Sequence, residues 1–183
     1  MKTRLFVLFI AYLVGTSSVL ADCPPVIMNE KLHGILPLAN QKVTYTDLVD
    51  CGSVSQADLF RRARLWIAQS FHTPADVFAL SDKETGDLIS RATQVVTLPR
   101  SESSAGGLYT FRYSLVVECS NRKYRLTISH IDLEESGNSR LTPIETYCQK
   151  NDKDLQVLYT ELDRQLKNVL ASFQENVKNY KAF

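Results

Sequence analysis

The chain has 183 residues, of which 44% are hydrophobic and 22% are charged, and its 21 basic side chains almost balance its 20 acidic ones. This length suits one domain of ordinary size with a core of its own. The near-neutral charge gives no electrostatic attraction for nucleic acid or for an anionic lipid surface, so neither is expected as a partner.

The first 21 residues have the pattern of a cleavable export signal. A short basic start with Lys2 and Arg4 precedes an almost unbroken apolar run over residues 5–14. Val19 and Ala21 place small residues where a signal peptidase reads them, which predicts cleavage before Asp22. A membrane anchor is the weaker interpretation, because about ten apolar residues cover only about half of the bilayer core. The mature protein is therefore expected to be exported and to have no transmembrane segment.

Cys23 would be the second residue of the mature chain, which raises the question of a lipid anchor. A lipobox requires a small residue immediately before the modified cysteine, and Asp22 is not one. We therefore expect Cys23 to be an ordinary residue and the protein to be free in the periplasm. A lipid anchor at Cys23 is the alternative.

Residues 22–41 begin with two prolines and show no hydrophobic period, so an irregular N-terminal arm is expected there. From Lys42 the pattern alternates, with Val43, Tyr45 and Val49 on one side of a predicted strand that Gly52 ends. A single α+β domain is expected over residues 42–183.

Ser55 and Asp58 mark the start of a predicted helix, because a serine followed three positions later by an acid resembles a capping box. Apolar side chains then recur at helical spacing, and Trp66 among them is expected in the core rather than in a ligand site. Pro74 is expected to end the helix. The arginines of its other side are expected to be solvated rather than to bind an anion; they are Arg61, Arg62 and Arg64.

Four further strands are predicted over residues 77–80, 88–98, 108–119 and 123–131. The connections between them favour consecutive antiparallel pairing. In the third strand the odd-numbered residues from Tyr109 to Cys119 are apolar, and in the fourth the alternation places Tyr124 and His130 on the same side. One sheet face is therefore expected under helices, and the opposite face is expected to be polar and wet.

A long amphipathic helix is predicted at the end of the chain, after a polar loop over residues 133–141. Thr142 and Pro143 have the features of a helix start, and a second start at Asp152 would kink or split the helix there. Beyond Asp152, apolar residues recur every three or four positions as far as Tyr180. This stripe is expected to pack on the sheet, with a coiled-coil partner chain as the alternative.

The predicted order of strand, helix, four strands and helix indicates an α+β fold, with helices on one face of one antiparallel sheet. A set of residues between positions 43 and 131 gives the chain a family resemblance; the set is Ala63-Arg64-Leu65-Trp66 with Phe71, then Val77, Asp82 to Gly86 with Ile89, Gly106-Gly107, and Tyr124 to Ile128. On these residues the chain resembles the bacterial exported domain of unknown function with a TATA-binding-protein-like fold. The resemblance implies that fold and an envelope address, and it implies no activity, substrate or catalytic residue. The fold's name does not imply DNA binding, because function resides in the site rather than in the fold.

Four cysteines follow the export signal, and they are not part of the family pattern. Their even number, in an oxidising compartment, predicts disulfides. A zinc site would show close pairs such as C-x-x-C, which are absent from the sequence, so no metal or other cofactor is expected. If the strands alternate in direction, Cys51 and Cys119 reach the same sheet edge, and Cys148 reaches the opposite edge near the arm that carries Cys23. We therefore predict Cys51–Cys119 and Cys23–Cys148 disulfides.

No catalytic residue is predicted. His33, His72 and His130 lie in the arm, at a helix end and late in a strand, and none accompanies a nucleophile elbow, an H-E-x-x-H motif or a phosphate loop. An enzyme is therefore not expected, and a hydrolase without a recognisable motif is the less favoured alternative.

The polar sheet face is the predicted binding site. Its expected binding residues are Thr110, Arg112, Ser114, Arg125 and Thr127. Such a face suits a peptide, a glycan or a partner protein of the envelope. The function favoured by the sequence is therefore a non-catalytic binding or scaffolding module. A merely hydrated surface and a homodimeric structural protein are the alternatives.

Overall fold

The structure is a computed structural model that describes residues 25–71, 78–100, 106–134, 140–148 and 152–180. The predicted export signal, Cys23, His72 and Pro74 lie outside these residues.

A small antiparallel sheet begins the described chain. Its four strands, in order, are β1 (Ile27–Met28), β2 (Lys31–Leu32), β3 (Leu36–Ala39) and β4 (Lys42–Val43). The irregular arm predicted for residues 22–41 is therefore wrong from residue 27 onward.

Two-residue turns explain this ordered arm. Asn29 and Glu30, and again Asn40 and Gln41, have positive φ at both positions. This backbone twists in the sense that two antiparallel strands require, and asparagine adopts it more readily than most residues. The side chain of Leu36 is fully buried, so the arm belongs to the hydrophobic core.

The next two elements are β5 (Tyr45–Asp50) and α1 (Gln56–Ser70). Tyr45 and Val49 are buried, which confirms the predicted alternation. Ser55 Oγ accepts a hydrogen bond from the Asp58 backbone nitrogen at 3.2 Å, which confirms the predicted helix start. The Asp58 carboxylate accepts hydrogen bonds from Arg61 and from the next arginine along the chain.

The main sheet consists of β5 and five later strands. These are β6 (Phe78–Asp82), β7 (Asp87–Leu98), β8 (Gly107–Ser120), β9 (Lys123–Glu134) and β10 (Leu141–Pro143). The strand order is β10-β9-β8-β7-β6. Strand β5 also pairs with β9, along the same edge as β10, and β10 pairs with the later residues of β9. All these pairings are antiparallel, so the consecutive topology predicted for the four long strands is confirmed.

The last helix, α2, spans Asp152–Lys178, so the predicted start at Asp152 is confirmed and the start at Thr142 is wrong. Thr142 and Pro143 lie in β10, an outer strand, where a proline without an N–H group is tolerated. Glu145, in the single helical turn after β10, accepts a hydrogen bond from the backbone nitrogen of Val43 at 2.8 Å. It therefore fastens this turn to the small sheet.

Both helices pack on one face of the main sheet, which is called the inner face here. The apolar stripe of α2, including Leu162 and Leu166, joins α1 and the odd-numbered residues of β8 in one core cluster. Trp66 belongs to this core, with its ring 5.0 Å from that of Phe173 and 5.5 Å from that of Phe71. The α+β architecture is confirmed, and the stripe of α2 is buried within its own chain.

Candidate binding face on the outer side of the sheet

The outer face is the side of the main sheet opposite the two helices. It is formed by the even-numbered residues of β8, the odd-numbered residues of β7, and their neighbours on β5 and β9. Within the described ranges, these residues are half-buried or exposed, whereas their sequence neighbours on the inner face are mostly buried.

The two predicted arginines lie on this face and are both paired. Arg112 donates from Nε and Nη2 to the two carboxylate oxygens of Glu134, at 2.9 and 2.8 Å. Arg125 donates to Glu118 at 3.2 Å. Both pairs are exposed and join β8 to β9 across the ladder, so neither arginine offers a free charge to a ligand.

The structure does not gather the five predicted residues into one site. Arg112 and Glu118, the partner of Arg125, are six positions apart on β8, which corresponds to about 20 Å at ~3.4 Å per residue. Thr110, Ser114 and Thr127 are half-buried on the same face. The predicted set is therefore spread over the length of the sheet.

Large apolar side chains also occupy the outer face, which corrects the expectation of a wholly polar surface. Leu108 is 67% exposed, Leu48 is 59% exposed and Val95 is 46% exposed. Leu48 lies opposite Arg125, and Val95 lies opposite Thr110. Both residues therefore add apolar surface beside polar side chains of the outer face.

The centre of the face carries an irregularity that the sequence analysis missed. A β-bulge shifts the pairing of β8 with β9 between Arg112 and Ser114, and His130 lies in it with φ 52°. His130 is consequently exposed instead of lying on the inner side with Tyr124. Its Nδ1 is 3.0 Å from Ser129 Oγ.

Arg91 lies beside this bulge. It pairs with Ser114, which in turn pairs with Ser129, so the three residues form one row across β7, β8 and β9. Arg91 is exposed and, among the described residues, makes no ion pair or hydrogen bond through its side chain. A free guanidinium, two hydroxyls and an imidazole thus lie on three neighbouring strands at the centre of the face.

This row combines groups that nucleophilic catalysis uses with groups that bind anions. A serine beside an imidazole is part of a nucleophilic pair, but such a pair needs a third group that orients the ring. In the part of the chain that the structure describes, Ser129 is the only hydrogen-bond partner of the His130 side chain. The donors of this row are those that recognise a carboxylate or another anion.

The predicted Cys51–Cys119 disulfide is not formed, and both residues are buried free thiols. Val49 and Cys119 pair with Tyr124 from opposite sides, so β9 separates the strands that lead to the two cysteines. At the level of Tyr124 these two strands are two strand spacings apart, about 9.5 Å, whereas a disulfide needs Cα atoms within about 7 Å. Cys148 is disulfide-bonded, and Cys23 lies outside the described residues, so their pairing stays a prediction.

Burial makes both free thiols weak acids. It raises the pKa of Cys119 to about 12, with smaller contributions from Asp87 and Cys51. It also raises the pKa of Cys51. Among the residues that the structure describes, no group of three or more histidine, cysteine or acidic side chains is placed to hold a metal ion. The same residues include no helix that combines the length and apolar character needed to cross a bilayer.

Comparison with known proteins identifies the fold. Residues 45–134 match the family described as "Domain of unknown function (DUF4468) with TBP-like fold". A crystal structure of a TBP-like protein from Parabacteroides distasonis has a TM-score of 0.62 and 18% identity, and the match covers 80% of this chain and 99% of that one. A DUF4468 family protein from Bacteroides ovatus has a TM-score of 0.61 and 15% identity, with 79% and 93% covered. No curated protein matches the chain.

Proposed function

We propose that this chain, which matches the DUF4468 family with a TBP-like fold over residues 45–134, is a non-catalytic binding module of the cell envelope. In this proposal the outer face of the sheet binds a partner protein. The family and the fold carry no established activity, so the proposal rests on the properties of the face itself.

The observation that carries the proposal is the mixed chemistry of an uncovered face. The apolar side chains of Leu48, Val95 and Leu108 are between 46% and 67% exposed, while the unpaired Arg91 lies at the centre. Protein interfaces combine apolar contacts with arginine in this way. An acidic side chain of the partner would pair with Arg91, and apolar side chains would cover Val95 and Leu108.

The envelope location is supported by the export pattern of residues 1–21 and by the disulfide of Cys148, a bond that persists in oxidising compartments. We propose the periplasm, with a lipid anchor at Cys23 as the alternative. Mass spectrometry of the protein from its native envelope distinguishes them. A mature chain that begins at Asp22 supports the first, and a diacylated N-terminal Cys23 supports the second.

Val95→Asp tests the proposed face. Val157 on α2 offers a matched control, because it is 53% exposed against 46% for Val95 and lies on another surface. We expect a partner to co-purify from the native envelope with the wild type and with Val157→Asp but not with Val95→Asp. Equal recovery with all three proteins would contradict the proposal.

A second copy of the chain is the other occupant to test, since exposed apolar side chains on a sheet face also suit a homodimer. Light scattering of the purified protein gives its mass in solution. A dimeric mass that Val95→Asp reduces to a monomer would show that the face binds its own copy, and the homodimeric function would replace the one proposed.

A further inference from the structure

A cleft along α1, remote from the outer face, has the size of a small-molecule site. Its volume is about 730 Å³, within the range of about 300–1,000 Å³ that is usual for ligand pockets. The lining residues are mainly those of the α1 surface, together with Lys83 from the turn between β6 and β7. Neither the family nor the proposed function assigns a role to this cleft.

Two alanines on the exposed side of α1 make room for the cleft. Ala57, Arg61, Arg64 and Ala68 follow one another at helical spacing on the side away from the core, and all four are exposed. The two alanines leave the ends of the cleft open. Phe60, which is only 5% exposed, adds aromatic surface to the lining.

The two sides of the cleft are fixed relative to each other. Gln56 Nε2, in the first turn of α1, donates to the carbonyl oxygen of Glu84 at 3.1 Å. Glu84 follows Lys83, so this bond ties the turn that carries the lysine to the helix. The cleft is therefore formed before any ligand arrives.

Two cations of the cleft remain unpaired. The Asp58 carboxylate accepts hydrogen bonds from Arg61 at 2.9 Å and from Arg62 at 2.6 Å, so its negative charge is already paired with these two arginines. Arg64 and Lys83 make no ion pair among the residues that the structure describes. The Arg64 guanidinium lies 5.6 Å from the ring centre of Phe78, a cation–π contact that helps to orient it.

We propose that this cleft binds a small amphipathic anion, a carboxylate with an apolar body. Arg64 and Lys83 take the carboxylate, and Phe60, Leu65 and the two alanines contact the apolar part. The charge complementarity follows from two free cations beside an apolar lining, and an arginine can donate two parallel hydrogen bonds to a carboxylate. This proposal is independent of the partner proposed for the outer face.

Dodecanoate below its micellar concentration, with dodecanol as the uncharged counterpart, is a suitable pair of probes in calorimetric titrations of the purified protein. We expect dodecanoate to bind more tightly than dodecanol, and the double variant Arg64→Gln/Lys83→Gln to weaken dodecanoate by about tenfold or more. Arg164→Gln/Lys167→Gln removes two positive charges from exposed positions on α2 and should leave the affinity unchanged.

Ala68→Trp places a large side chain at one end of the cleft without changing its charge, so it should weaken binding even if the charge variants fold poorly. Circular dichroism checks that each variant is folded. Four results would each overturn the proposal: no binding of dodecanoate to the wild type, equal binding of dodecanol, unchanged binding to a folded Arg64→Gln/Lys83→Gln variant, or unchanged binding to a folded Ala68→Trp variant.

Discussion

The hydroxyl of Tyr45 donates a hydrogen bond to Asp163 Oδ1 at 2.9 Å and thereby joins β5 to the middle of α2. Burial, followed by the charge of Asp163, raises the pKa of Tyr45. The hydroxyl therefore remains a donor over the physiological pH range.

Removal of this hydroxyl should destabilise the protein. We expect Tyr45→Phe to lower the free energy of unfolding by about 1–2 kcal/mol, because a hydrogen bond to a carboxylate is lost. Tyr113→Phe is the matched control, since the hydroxyl of Tyr113 is buried and has no partner in the described ranges. That variant should be as stable as the wild type or more stable. Urea unfolding measures both, and a larger loss for Tyr113→Phe would contradict the assignment.

Replacement of Gly86 is predicted to destabilise the protein strongly. Its φ is 86°, and a Cβ atom at this position would overlap the backbone carbonyl of Cys119. Gly52 has a similar φ of 66° with open space around it. We expect Gly86→Ala to cost about 2–4 kcal/mol and Gly52→Ala about 1 kcal/mol, because only the first adds a steric clash to the backbone strain. Similar thermal midpoints for the two variants would show that β8 moves away to relieve the clash.

The thiols of Cys51 and Cys119 should resist alkylation in the folded protein. Only the thiolate reacts, and burial keeps both groups protonated at neutral pH. We expect iodoacetamide at pH 8 to label Cys119 far more slowly in the native state than in guanidinium. Peptide mapping of the alkylated, unreduced protein identifies each labelled cysteine. A Cys51–Cys119 cross-linked peptide would contradict the free thiols, and a Cys23–Cys148 peptide would establish the remaining predicted pair.

Acid should weaken the contact between α1 and the end of α2. Burial alone would raise the pKa of Asp58, but hydrogen bonds from Arg62 and Arg61 outweigh it and leave the pKa below the usual 3.8. Arg62 also donates to the carbonyl oxygen of Val177 at 3.0 Å. The carboxylate therefore contributes stability above pH 3.8, and this contribution is lost as the pH falls through the lower folded value.

The Asp58 contribution can be measured with Arg62→Gln. Asp58 is partly exposed, so we expect this variant to lose about 0.5–1 kcal/mol at pH 6, and the difference from the wild type to shrink toward pH 2. Arg64→Gln, which removes an arginine that does not bond to Asp58, should show no such convergence. A wild-type to Arg62→Gln difference that stayed constant over this pH range would contradict the linkage.

The periodic parts of the chain were predictable and the irregular parts were not. Alternation predicted the buried side of β8, because a strand with one face under helices must repeat every two residues. His130 was placed on the wrong side because a bulge adds one residue to β9. The sequence does carry a signal for this bulge, because the apolar positions change from even numbers at Leu126 and Ile128 to odd numbers at Ile131 and Leu133, and all four side chains are buried.

The N-terminal arm shows a second limit of prediction from the sequence. Its strands are too short for a hydrophobic period, and Asn29 and Asn40 were the available turn signals. Alternation places the five predicted binding residues on the outer side of the sheet, but it does not give their contacts. Which arginine is free depends on partners such as Glu134 and Glu118, which face Arg112 and Arg125 only once the register of β8 and β9 is known.

The pairing of β5 with β9 also determines when this domain can finish folding. Asp50 and Lys123 are the closest pair along the chain, yet about seventy residues separate them. A chain made from its N terminus therefore presents β5 as a lone strand, with its backbone groups unpaired, until β9 has emerged. Until then β5 is open to a holding chaperone or to the strand edge of another nascent chain, and its capture by β9 is the step that ends this exposure.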